Sequence, residues 1–261
     1  MLDLPTFETV AELLNCSYQQ YNQPQFIQDD PICIPHRFSR QQDVEITGFI
    51  TAVLAWGQRK TIINKSVELF ERMDNAPYDF VVNHQENDLK RMLTFKHRTF
   101  NTTDLLYFIA FFQWFYSQHN SLEEAFLQGM TPSEPTVEKG LIGFHDLFCS
   151  LDVFPSRTRK HIATPQRNSS CKRLNMFLRW MVRQDTQGVD FGIWKQFKPS
   201  QLVCPCDVHV ERVARKLGLI TRPKTDWQTA LELTENLKQF DAQDPVKYDF
   251  ALFGLGVEGT M

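Results

Sequence analysis

No stretch of this chain alternates apolar and polar residues for long enough to make a half-buried strand. Apolar residues recur instead at the three- and four-residue spacing of helix faces. Thr47 to Met73 places Phe49, Ile50, Val53 and Leu54, then Ile62, Ile63, Val67 and Phe70, at that spacing. The interruption at Trp56-Gly57-Gln58 predicts two helices rather than one. Leu105 to Tyr116, LLYFIAFFQWFY, is the most apolar run. It falls short of the roughly 20 residues that a bilayer span needs, so it predicts a buried helix. That helix runs to about Gln118, with Asp104 as its expected cap. Ser121 followed by Glu124 reads as a capping box, and Leu141 to Leu151 is again apolar at helical spacing. Met130 to Lys139, with two prolines, predicts a loop. Together these stretches imply an all-α fold with no internal repeat.

A chain of 261 residues makes one large domain or two modest ones. With 42% hydrophobic and 23% charged residues, disorder and collagen-like fibre are excluded. The opening MLDLPTFETVAELL has no basic segment followed by an apolar run, so no secretory leader is expected and the location implied is cytoplasmic. The six cysteines are then expected as reduced thiols. Cys204 and Cys206 form C-x-C, which lacks the usual spacing of a zinc pair, so no metal is expected.

A net charge of −3 argues at first against a nucleic-acid partner, but the charge is unevenly distributed. Pro155 to Arg183 holds Arg157, Arg159, Lys160, Arg167, Lys172, Arg173, Arg179 and Arg183 and no acidic residue. That is +8 within the strip, leaving 20 basic against 31 acidic residues elsewhere. Such segregation suits a phosphate footprint; a solvated helix face with long side chains over apolar neighbours is the other reading. Inside the strip, NSSCKRLNMFLRWMVR predicts a helix capped by Ser169 or Ser170, with apolar face Leu174, Phe177, Leu178 and Met181. Lys172 then stands in its first turn, beside arginines, in the electrostatic setting of an amine nucleophile. Further on, VCPCDVHVERVARKLGL predicts a helix capped by Asp207 and ended by Gly218.

Cys204 to Val213, CPCDVHVERV, resembles the P-V-D-T-H-V-x-R-V motif of the helix-hairpin-helix DNA glycosylases, the superfamily of endonuclease III and the 8-oxoguanine glycosylases. Asp207 falls on that motif's catalytic aspartate. Lys172, followed by RLNMFLRWMV, is similar to the lysine that opens the helix after the hairpin in lyase-type members. AVLAWGQRKTIINKS, Ala52 to Ser66, is similar to the A-V-L-L-S-x-Q-x-T stretch, which puts Gln58 where the family has a residue that wedges into the duplex. YDFALFGLGVEG, Tyr248 to Gly259, is similar to the last core helix. The matches follow the family's order over most of the chain. The whole pattern is also similar to a bacterial family of unknown function.

Two departures stand out. The hairpin pattern L-P-G-x-G-x-K meets Gln166 to Lys172, QRNSSCK, without a glycine, which implies a degenerate hairpin. The spacing from Lys172 to Asp207 is longer than in endonuclease III and similar to the archaeal 8-oxoguanine branch. No four-cysteine iron–sulfur pattern follows the core, so no cofactor is expected.

The resemblance implies a two-lobed fold, with a helical bundle over residues 46–202 and a second lobe of residues 1–45 and 203–261. It implies a monomer that acts on double-stranded DNA away from membranes, excising a damaged base such as 8-oxoguanine, with AP-lyase activity. Lys172 and Asp207 would be catalytic and face one cleft. Gln58, Arg157, Arg159, Arg167, Ser169, Ser170 and Arg173 would hold nucleic acid. Trp56 is a further stacking candidate, whereas the spacing of Phe177 points to core. The alternatives are a non-catalytic DNA- or RNA-binding protein derived from this fold, and an interaction protein whose basic strip meets an acidic partner.

Overall fold

Thr6, Asn101, Asp207 and Asp226 cap helix starts with their side chains, and aromatic rings fill the packed helix faces. The computed structural model describes residues 6–131 and 133–259. Met1–Pro5, part of the leader reading, and Pro132, part of the expected loop, lie outside the described residues. The helices are α1 (Phe7–Tyr21), α2 (Phe26–Asp29), α3 (Gln41–Leu54), α4 (Arg59–Glu71), α5 (Pro77–Asn83) and α6 (Thr102–Tyr116). They continue as α7 (Glu123–Leu127), α8 (Glu138–Phe148), α9 (Lys172–Val182), α10 (Val208–Lys216), α11 (Trp227–Lys238) and α12 (Asp249–Glu258). Short 3-10 turns join them, and no strand occurs among the described residues beyond an isolated bridge between His97 and Phe100. The all-α reading therefore holds. No described helix is long and apolar enough to cross a membrane.

The chain divides into two compact units. One comprises Ile27–Thr131 and Lys139–Ala163; the other comprises Met1–Phe26, Pro132–Glu138 and Thr164–Met261. The division differs from the expected one, which grouped residues 46–202. Residues 164–202, including α9, join the C-terminal helices, where Arg179 of α9 finds Asp249 and Arg183 just after it finds Asp244.

In the first unit, α6 is apolar on nearly every side and buries Leu105, Phe108, Phe111, Phe112 and Phe115. A helix apolar all round belongs in a core. Phe49 of α3 meets Phe108, Phe112 and Phe144, and Phe126 stacks on Phe144 with ring centroids 4.0 Å apart. The break between α3 and α4 falls where the sequence predicts it, at Gly57 with φ +103°. Glu45, fully buried, accepts hydrogen bonds from Tyr116 Oη at 2.8 Å, Ser121 Oγ at 2.6 Å and the Leu122 N–H at 2.9 Å.

The expected cap of α6 is corrected. Asn101 is the N-cap, accepting from the N–H groups of Thr103 and Asp104, while Asp104 reaches back to the Asn101 N–H at 2.9 Å. Asp104 is then free to collect other donors. Its Oδ2 accepts from Arg157 Nη1 at 2.6 Å and lies 3.2 Å from His161 Nε2; its Oδ1 accepts from Thr158 Oγ1 at 2.8 Å. Burial alone would raise the Asp104 carboxyl, but the contacts from His161, the Asn101 N–H and Thr158 outweigh it and hold the group at about 2.

A carboxylate held below its unfolded value adds stability above the unfolded pKa and loses it as pH falls through the folded one. Wild-type stability should therefore decline between about pH 4 and 2, and Asp104→Asn should make that decline shallower in acid-titrated urea unfolding. Asp104→Ala, which strips Arg157 and Thr158 of a buried partner, should cost about 3–5 kcal/mol.

In the second unit, α12 packs on both α1 and α10. Two glycines make this approach possible. A Cβ on Gly254 would meet the Tyr21 ring at 2.3 Å, and one on Gly256 would meet His209 at 2.8 Å.

Candidate functional site

Asp207 caps α10 as the sequence predicts. Its Oδ1 accepts both the His209 N–H at 2.8 Å and the Val210 N–H at 2.9 Å. Its Oδ2 takes no hydrogen bond among the described residues, so one oxygen is locked and the other is available. The carboxylate is half-buried beside Val208, which is 68% exposed. The helix ends at Gly218, φ +75°, also as expected.

Lys172 is the first residue of α9 and is exposed. Its side chain makes no hydrogen bond or ion pair among the described residues. The serine caps expected for this helix are corrected. Cys171 occupies the N-cap position in a left-handed conformation, φ 50°, with no side-chain cap bond. Ser169 instead accepts the Cys171 N–H on its Oγ at 3.2 Å, and the Ser170 carbonyl accepts from Asn175 Nδ2 at 3.0 Å. Asn168, where the hairpin pattern has its first glycine, is left-handed too, φ 55°. Asparagine tolerates that region better than other side chains, so the glycine-free stretch keeps a glycine-like turn. Asn168→Gly should leave stability unchanged or slightly higher in denaturant unfolding. Asn168→Val, which disfavours positive φ, should cost about 1–2 kcal/mol.

The basic strip is less basic at the surface than in sequence. Arg157 is committed to Asp104, and it also donates to the Asn101 side chain and the Thr99 carbonyl. Arg179 and Arg183 are buried. Arg179 Nε meets Asp190 at 3.2 Å, and its Nη1 pairs with Asp249. Arg183 pairs with Asp185 at 2.8 Å, Asp190 at 3.1 Å and Asp244 at 2.9 Å, and donates to Tyr18 Oη at 2.7 Å. Three of the eight cations are thus neutralised by carboxylates from outside the strip. Arg159 is half-buried over the Phe154 ring. Arg173 is half-buried, and burial pushes its guanidinium down. Arg167 and Lys160 are exposed.

The predicted residues fall into both units. Lys172, Asp207, Arg167, Ser169, Ser170 and Arg173 share the unit that holds α9 and α10. Gln58, Arg157 and Arg159 belong to the other. Lys172 and Asp207 each open a helix of one unit but make no ion pair with each other. Gln58 is exposed at the start of α4, with no side-chain bond to the helix. Phe177 is core, edge-on to Trp194. Trp56 is half-exposed under the Arg98 guanidinium, 6.0 Å above its ring.

Sequence reasoning missed two features. Arg98, left-handed at φ 53°, lies so close to Gly57 that a Cβ there would sit 2.2 Å from its Nη2. No local pattern announces that approach. The other is the buried arginine–carboxylate network. Its signal is faint: two arginines four apart on an apolar helix, followed by a cluster of aspartates.

Burial pushes Asp249 up to about 7; Arg179 pulls it down, but Asp207 and Asp190 add repulsion. Asp244 is raised too, again by burial in the first place. Cys204 and Cys206 are buried free thiols, both raised by burial, Cys206 to about 12.

Neither the search of curated proteins nor that of solved structures found a match. The family model described as "Protein of unknown function (DUF2400)" matches residues 30–258, a span that takes in Gln58, the basic strip, Lys172 and Asp207. With most of its length inside that match, the chain belongs to this family.

Proposed function

We propose that this protein is a DNA base-excision glycosylase with AP-lyase activity, in which Lys172 is the nucleophile and Asp207 the electrostatic partner, both facing one cleft. The observation that carries the reading is the pair of helix starts. An exposed lysine with no partner among the described residues opens α9, and an aspartate with one oxygen locked, and the other taking no hydrogen bond among those residues, opens α10. The sequence resemblance adds the order and identity of the motifs.

Breaking an N-glycosidic bond develops positive charge on the sugar, and a fixed anion stabilises it. Asp207 Oδ2 suits that role, because the bonds to Oδ1 already hold the side chain in place. Asp207 also helps to take a proton from the Lys172 ammonium. The free amine attacks C1′; the base departs with the bonding electrons and gains a proton. The C1′–O4′ bond then opens, O4′ gains a proton, and nitrogen and carbon form an imine. Loss of a C2′ proton from the imine expels the 3′ phosphate and cuts the strand. A base must leave the stack for this to happen, and Gln58, whose side chain is exposed and makes no cap bond to α4, is suited to fill the gap.

Phosphate contacts are proposed for Arg167, Ser169, Ser170 and Arg173 in one unit and Arg159 in the other. Arg157 reaches a phosphate only by sharing its donors with Asp104.

The test is borohydride trapping on abasic and 8-oxoguanine duplexes, within a panel of other lesions. A covalent adduct is expected in the wild type and none in Lys172→Gln. Asp207→Asn should slow base release by about 100-fold or more, in the range of removing one stabilising group from a reacting centre. Salt-sensitive binding without an adduct on any lesion would favour a non-catalytic nucleic-acid-binding protein. No binding at low salt would end both readings.

A further inference from the structure

Helix α12 touches both helices that carry the proposed chemistry. At its first turn, buried Asp249 pairs with Arg179 Nη1, two turns along α9 from Lys172. At its other end, the Gly256 carbonyl accepts from Arg212 Nη2 and meets His209 Nδ1 at 3.3 Å, both on α10. Gly256 lies against His209, two residues from Asp207, with no room for a side chain. A single rigid helix thus spans from the helix of the lysine to the helix of the aspartate.

We propose that Asp249 is a positioning residue for the Lys172–Asp207 pair, acting on α9 through Arg179 and, through its own helix, on α10. The proposal rests on the reading of Lys172 and Asp207 given above.

Asp249 faces charged and titratable groups from every side. Arg179 comes from α9, and Asp190, which Arg179 Nε also holds, from the segment after it. Asp207 comes from the start of α10, and Cys204 and Cys206 from the segment before it. Arg183 and Asp244 join through Asp190. The buried Phe250 ring lies 4.3 Å from the buried Arg179 guanidinium.

A carboxyl raised to about 7 in this setting is protonated in weak acid and charged above neutrality. When charged, it grips Arg179 and adds negative potential behind Asp207, which favours the cationic sugar. When protonated, it does neither. The sign for stability is opposite. A carboxyl raised in the folded state favours folding below its unfolded value, and that contribution fades as pH rises from about 4 to 7.

The experiment uses the full chain and Asp249→Asn and Asp249→Ala, from pH 5 to 8.5. One readout is the rate of borohydride-trapped adduct on an abasic duplex. The other is carbon-13 NMR of labelled aspartate carboxyls and of the Lys172 Cε, without DNA. The wild-type rate should rise through an inflection near pH 7 that Asp249→Asn lacks, and Asp249→Ala should lose on the order of 100-fold. The Asp207 and Lys172 resonances should show the same inflection in wild type and not in Asp249→Asn. Asp249→Asn keeps the shape of the side chain and decides the matter if Asp249→Ala does not fold.

An Asp249 that titrates while the Asp207 and Lys172 resonances stay still overturns the proposal, as does an Asp249→Asn rate profile identical to wild type. If the wild type forms no adduct on any duplex, the glycosylase reading fails, and the NMR arm alone still judges whether Asp249 governs the two residues.

Discussion

Arg179 lies buried on α9 and Arg183 buried at its C-cap, and each needs carboxylate partners before that helix can pack. Desolvating a guanidinium costs several kcal/mol, which only close, well-aligned anions offset. Asp190 bridges the two arginines, Asp249 completes Arg179, and Asp185 and Asp244 complete Arg183. Removing any one carboxylate leaves a buried cation short of partners, so the network sets where α9 and the segment leading into α12 must lie. Tyr18 and Asn22, which donate to Asp185 at 3.2 Å and 2.6 Å, draw α1 and its end into the same arrangement. Asp249 and Asp244 resist ionisation first because they are buried, and the surplus of four carboxylates over two cations adds repulsion.

The network also recasts the charge pattern of the sequence. Read as a string, Pro155 to Arg183 is an unbroken basic strip. In the fold, Arg179 and Arg183 turn inward and Arg157 is held by Asp104, so the surface keeps fewer cations than the count suggests. Of the cations that remain exposed or half-exposed, Arg167, Lys172 and Arg173 lie along the turn into α9, whereas Arg159 and Lys160 belong to the other unit. The chemistry proposed here therefore rests on two helix starts rather than on bulk positive charge.

Helix positions were legible because burial and 3.6-residue periodicity act locally. The α3–α4 break at Gly57, the buried α6 and the Asp207 cap all follow from neighbouring residues. Caps that depend on competition were not legible. Asp104 and Asn101 are both competent caps, and the distant donors Arg157 and Thr158 decided between them. Cys171 adopts a left-handed conformation that its residue type does not announce. The grouping of α9 with the C-terminal helices was equally hidden, since Arg179 and Asp249 are 70 residues apart. Of the proposed site, Asp207 and Lys172 were readable as helix starts, whereas Asp249 behind them required the tertiary contact.

The central claim is that Lys172 is the nucleophile of a base-excision reaction. Its most direct test is tandem mass spectrometry of the protein after borohydride reduction with an abasic duplex. The account predicts that the reduced sugar adduct maps to the Nζ of Lys172. An adduct confined to another lysine or to the chain's amino terminus would contradict it.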